Sequence, residues 1–184
     1  MGAYEDWYSF LKRVHDWFRS GLDKMLEDAD SVSPSHIKKL GFATISLTRN
    51  LRHHHDLEGL FQVTTTIFHS VQFLFFHSNL TGVLIAILLL FVTEAFVFPF
   101  FAKKVDISHW AAAHEELIEA LDSLQSQGSN AQKNPVNYDS VRFKATIEEL
   151  KRIVLPHFAD EERISLPENT RTLWTEEEFR QLHR

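Results

Sequence analysis

The chain has 184 residues, 44% of them hydrophobic, which suffices for one ordinary domain with a single core. Its formal net charge of -6, with no Lys/Arg run, excludes a broad phosphate-binding face, so no nucleic-acid partner is expected. It has no cysteine, hence no disulfide, thiolate ligand or thiol nucleophile; any metal must be held by histidine and carboxylate, and a cytoplasmic setting fits.

The N-terminal residues Met1-Gly2-Ala3-Tyr4-Glu5-Asp6 lack the basic region and apolar run of a secretory signal, and Asp6 stands where a myristoylation site usually has Ser or Thr. From residue 5 to 27, Trp7, Phe10, Leu11, Val14, Phe18, Leu22, Met25 and Leu26 recur at steps of three and four, which predicts an amphipathic helix with His15 at the edge of its stripe. The acidic, Ser-rich segment 28–35 with Pro34 predicts a turn. A second helix is expected from about Ser35 through Ile37, Leu40, Ile45, Leu47 and Leu51 to Glu58, although Gly41 and several Thr and Ser residues weaken its interior.

The character of the chain then changes. Residues 59–93 contain no Asp, Glu, Lys or Arg, whereas 24% of the whole chain is charged. The apolar density peaks at 83–92, which is shorter than the roughly 18 to 20 residues of a membrane-spanning helix; extension over 80–101 reaches that length only by including Glu94 and Pro99. A membrane anchor over 80–101 is therefore one open reading.

Past Lys103-Lys104 the pattern of a globular chain resumes. Residues 109–124 place Ala113, Leu117, Ala120, Leu121 and Leu124 on one helical face. The stretch 126–139, with Gly128, Ser129, Asn130, Asn134, Pro135 and Asn137, predicts a long loop. A fourth helix is expected over about 138–162, burying Val141, Ile147, Leu150, Ile153 and Val154, with a kink or new turn at Pro156. The remainder, 163–184, reads as a C-terminal tail in which Thr175-Glu176-Glu177-Glu178 caps a short helix. No repeat of fixed period is present.

Eleven histidines is a high count. A single His beside an apolar stripe is ordinarily a hydrogen-bonded boundary residue. The joint pattern says more. His54 and Glu58 lie four apart, as do His157 and Glu161, with Glu162 next to it; on a helix each pair offers an imidazole and a carboxylate to one side. His15 and His114 add one His from each of the other two predicted helices. That is the distribution a carboxylate-bridged dinuclear site in a helical bundle requires.

These residues resemble the hemerythrin-like, or HHE cation-binding, domain family. Val14-His15-Asp16 with Phe18-Arg19 and Leu22 is similar to the family's first-helix region, and His54 to Glu58 matches its second-helix His-x-x-x-Glu element. His114-Glu115-Glu116-Leu117-Ile118-Glu119-Ala120-Leu121 resembles the third, and His157 followed by Glu161 or Glu162 resembles the fourth. The resemblance spans about Val14 to Glu162 and implies an all-α, up-down four-helix bundle over 1–162, interrupted after its second helix by a hydrophobic insert. It further implies two non-haem iron ions held by His15, His54, Glu58, His114, His157 and Glu161 or Glu162. One departure stands out: Ile118 occupies the place of a second third-helix His, so that one iron loses a ligand or recruits His109 or a water.

The resemblance also bears on the insert. Family members continue the second-helix motif with a second Glu, apolar residues and Phe-Pro, and joining Glu58 to Glu94 restores His-His-His-Asp-Leu-Glu-Glu-Ala-Phe-Val-Phe-Pro without a residue left over. Translation of a thymine-rich noncoding stretch yields chiefly Phe, Leu, Ile, Val and Ser, which fill the segment. Residues 59–93 are thus expected to be a retained intron or late insertion. The function implied is binding or sensing of dioxygen or another small ligand, or metal storage, rather than catalysis. A diiron oxidase or peroxidase, and a membrane-anchored protein with incidental histidines, are the alternatives.

Overall fold

The structure, a computed structural model, describes residues 2–31, 33–56 and 100–180, with side chains at all of these except 53, 55, 56 and 110–115. Among the described residues every regular element is helical: α1 (Ala3–Asp28), α2 (Pro34–Asp56), α3 (Ser108–Lys133), a 3-10 turn (Pro135–Asn137), α4 (Ser140–Ser165), α5 (Pro167–Leu173) and α6 (Glu176–Arg180). A further helical turn spans 100–102. The insert 59–93 and most of the candidate span 80–101 lie outside the described residues. Among the described residues no helix is long and apolar enough to cross a membrane.

The stripe of α1 is buried in steps of three and four, through Trp7, Leu11, His15, Phe18, Leu22 and Met25. His15 is therefore at its centre and fully buried, not at its edge. The four long helices touch in a cycle, α1 with α2, α2 with α3, α3 with α4 and α4 with α1. Cross-helix pairs fix antiparallel neighbours: on α1 and α4, Lys144 holds Asp30 at 2.7 Å, Lys151 holds Asp23 at 2.9 Å, and Trp7 donates to Ser165 at 3.2 Å. The central core between them is built on Phe18, Leu51, Leu121, Phe143, Ile147 and Phe158.

Two expectations are corrected here. Residues 126–133 are not loop but the last two turns of α3, and only 134–139 link it to α4. Tertiary packing overrides the weak propensity: a Cβ at Gly41 would meet the Gly128 carbonyl oxygen at 2.5 Å and one at Gly128 would meet Thr44 at 2.9 Å, so the glycines let α2 and α3 approach backbone to backbone. The buried Thr44 and Thr48 hydroxyls return hydrogen bonds to the carbonyls of Leu40 and Thr44, at 2.8 and 2.9 Å, which satisfies them inside α2. In α4, Asp139 caps the first turn through Arg142 N at 3.0 Å, and the helix runs on through Pro156. Val141 is 74% exposed and does not join the buried face.

Residues 163–180 are not a loose tail. Trp174 and Phe179 form a second core with Tyr4, Trp7, Leu11, Phe101 and Ile164, closed by the Tyr4 hydroxyl on the Trp174 carbonyl at 2.8 Å. The expected cap is present as a reciprocal pair, in which Thr175 N donates to Glu178 at 2.8 Å and Glu178 N donates to Thr175 Oγ1 at 3.3 Å.

Candidate metal centre

Near the middle of the fold, α1, α2 and α4 bring His15, His54 and Glu161 together, all three buried and each offering a ligand atom within 4.8 Å of the others. Helical spacing explains the placement. His15 continues the buried series Trp7, Leu11 on α1; His54 follows Leu47 and Leu51 on α2; Glu161 follows Leu150, Val154 and His157 on α4. His157, one turn before Glu161, is likewise buried, and its Nε2 stands 3.1 Å from Glu161 Oε1. The other Glu161 oxygen, Oε2, stands 3.0 Å from His15 Nε2. One carboxylate thus faces two imidazoles, one with each oxygen. Neither Glu161 oxygen nor His15 Nε2 has the alignment of a hydrogen bond, although all three are buried.

The orientation of His15 is fixed from behind. Its Nδ1 lies 2.9 Å from Glu162 Oε1, and Arg19 donates to the same oxygen at 2.7 Å. An ionised carboxylate only accepts, so Nδ1 carries a proton toward Glu162, and Nε2 is the nitrogen directed at Glu161. The His15 ring also stacks on Phe158, with centroids 4.0 Å apart and planes 10° from parallel. Apolar packing and the Glu162 bond together leave the imidazole one orientation.

Burial pushes the His15 imidazole down, but its contacts with Glu161 and Glu162 outweigh that and hold it above its ordinary value. Burial likewise pushes Glu161 up, and the two imidazoles overcome it, so that the carboxyl lies well below the usual carboxylate range. Glu162 is lowered against its own burial by His15 and Arg19.

Of the residues singled out in the sequence, His15, His54, His157 and Glu161 converge. Glu162 pairs with Arg19 and with His15 Nδ1, on the side of the ring away from Glu161. Glu58 lies outside the described residues, as does the side chain of His114. His109, considered as a substitute ligand, is 59% exposed and pairs with Asp160 at 2.9 Å on the outer face. Ile118 is 38% exposed. The positioning roles of Arg19 and Phe158 were missed, though spacing could have shown the first, since Arg19 lies one turn after His15. No family model, curated protein or solved structure matches the chain.

Proposed function

We propose that the protein is a hemerythrin-like, metal-binding four-helix bundle with an up-down topology, and that it carries non-haem iron at a dinuclear His/carboxylate site. Its task on this reading is to bind or sense dioxygen or another small ligand, or to store metal. The observation that carries the reading is Glu161, 4% exposed, with one oxygen 3.0 Å from His15 Nε2 and the other 3.1 Å from His157 Nε2. Burying a carboxylate is costly unless charge and hydrogen bonds compensate. A cation between Glu161 and the imidazoles supplies that compensation, and the donor set suits it: neutral imidazole and carboxylate hold Fe(II), and also Mn or Zn.

On this reading His15, His54, His157 and Glu161 would hold the metal. Glu58 and His114 complete the set by the family resemblance. Glu162 and Arg19 hold the His15 tautomer, and Phe158 with Phe18 walls the site against water. Iron supplies an open coordination position for a small ligand; the chain supplies the dry walls and the fixed donors.

Anaerobic titration of the metal-free protein with Fe(II) is expected to saturate at about two equivalents or fewer. Absence of saturable binding would overturn the reading. Admission of oxygen then separates binding from catalysis: a reversible optical change without sustained consumption of reductant is expected, and steady oxygen-dependent turnover would favour an oxidase.

A further inference from the structure

From the described residues on either side of it, we infer that segment 59–93 is an insertion into what the fold requires as a single second helix, and that the competent protein is the chain in which Glu58 is followed directly by Glu94. The inference stands independently of the metal reading.

The first observation is axial register. Residues of α1 and α2 that face each other have numbers that add to a constant: Met25 meets Thr44 at 3.8 Å, the His15 and His54 rings lie 5.6 Å apart, and Gly21 abuts Leu47, giving 69, 69 and 68. The Phe18 ring, longer, reaches His54 from one turn away. Carried toward the start of α1, this register places Tyr4 opposite a position about 65 and Trp7 opposite about 62. Phe101, with Phe100 packed against it, belongs to the same core cluster as Tyr4 and Trp7, together with Leu11, Ile164, Trp174 and Phe179. Removal of the 35 residues 59–93 renumbers Phe100 and Phe101 as 65 and 66.

The second observation is rotational phase, which is independent of the first. At about 100° per residue, the buried residues of α2 (Ile37, Leu40, Gly41, Thr44, Leu47, Thr48, Leu51 and His54) fall within an arc of about 140°. In the joined chain Phe100 and Phe101 come 11 and 12 residues after His54, so they sit about 20° and 120° from it, inside the same arc. Phe101 is 1% exposed, as that phase demands. A removal two residues longer or shorter would turn both by about 200° and carry them out of the arc.

Position along the axis and rotation about it are both compatible with removal of 59–93, the segment without Asp, Glu, Lys or Arg. From Asp56 to Phe100 the joined chain has nine steps, where the chain as written has 44. The far end of the candidate span 80–101 is also accounted for, since Phe100 stacks on Trp174 with centroids 5.0 Å apart, in the core instead of facing lipid.

The test compares the full chain with three deletions, of 59–93, 59–91 and 59–95, by thermal unfolding, solution size and metal content. Deletion of 59–93 is expected to give the highest melting temperature and a monodisperse helical protein, with the two off-register deletions less stable and the full chain prone to association through its apolar segment. Transcripts are expected to include a spliced form lacking the codons for 59–93. A full chain at least as stable as the 59–93 deletion, an optimum at another length, or transcripts that uniformly retain the segment would overturn the inference. A 59–93 deletion that folds best yet binds no metal would leave the inference standing and remove the metal reading. A full chain that alone folds and binds iron would do the reverse.

Discussion

Glu161 and Glu162 are neighbours in sequence with opposite duties, and the difference is testable. Glu161→Gln removes the charge that faces two imidazoles, so iron affinity should fall by more than about 100-fold, the upper end of what an outer residue costs. Glu162→Gln keeps the donor set and loosens only the orientation of His15, so a loss of about 10- to 100-fold is expected. Equal losses in equilibrium dialysis would contradict the division of roles. In the metal-free protein the same groups set the pH dependence of stability. Glu161 is depressed in the folded state, so its contribution is present above its ordinary value of 4.5 and disappears as pH falls through its lower folded value. His15 is raised, so its contribution is complete below 6.5 and lost as pH rises through its higher folded value. Urea unfolding of metal-free protein should therefore show the cluster most stabilising between about pH 4.5 and 6.5. Metal uptake should run the other way, strengthening with pH as protons leave the imidazole. A metal-free stability that climbs steadily from pH 5 to 8 would contradict the assignment.

At the scale of elements, the amphipathic periods of α1, α2 and α4 were legible in the sequence because their buried stripes recur every three or four residues, and His15, His54 and the His157/Glu161 pair fall on those stripes. The end of α3 was not legible, because Gly128, Ser129 and Asn130 are weak helix formers whose helical state is decided by contact with α2. Gly41→Ala should accordingly destabilise the fold by about 1–3 kcal/mol in denaturant unfolding, the cost of overpacking, where an exposed helical glycine would gain from the change. Neutral or increased stability would show that the two helices separate easily. Nor did periodicity reveal the partner of residues 163–180, since a short helix carries too little pattern to name what it packs on. Truncating Phe179, fully buried beside Tyr4 and Trp174, to Ala should cost about 3–5 kcal/mol, which a solvated tail would not.

For the molecule as a whole, the proposed site sits inside the core: Phe18, His15 and Phe158 pack together, and on the metal reading a cation would compensate the buried Glu161 carboxylate among them. Metal at about 100 times its dissociation constant should add about 2.7 kcal/mol. For a domain of this size that raises the melting temperature by about 5–10 °C, and a chelator should reverse it. Four long helices could be anticipated from the periodic stretches of the sequence. What could not be read from the sequence alone was which residues of α1 and α2 face one another along their axes, because register is a relation between helices.

The most direct test of the metal reading is the iron content of purified, anaerobically reconstituted protein, measured for the unaltered chain, His54→Ala and His109→Ala. Both substitutions remove a histidine, but only His54 lies in the buried cluster, whereas His109 is on the surface beside Asp160. The account predicts up to about two iron ions in the unaltered chain, the same in His109→Ala, and loss of most of the iron in His54→Ala. Equal iron in the two variants would contradict it.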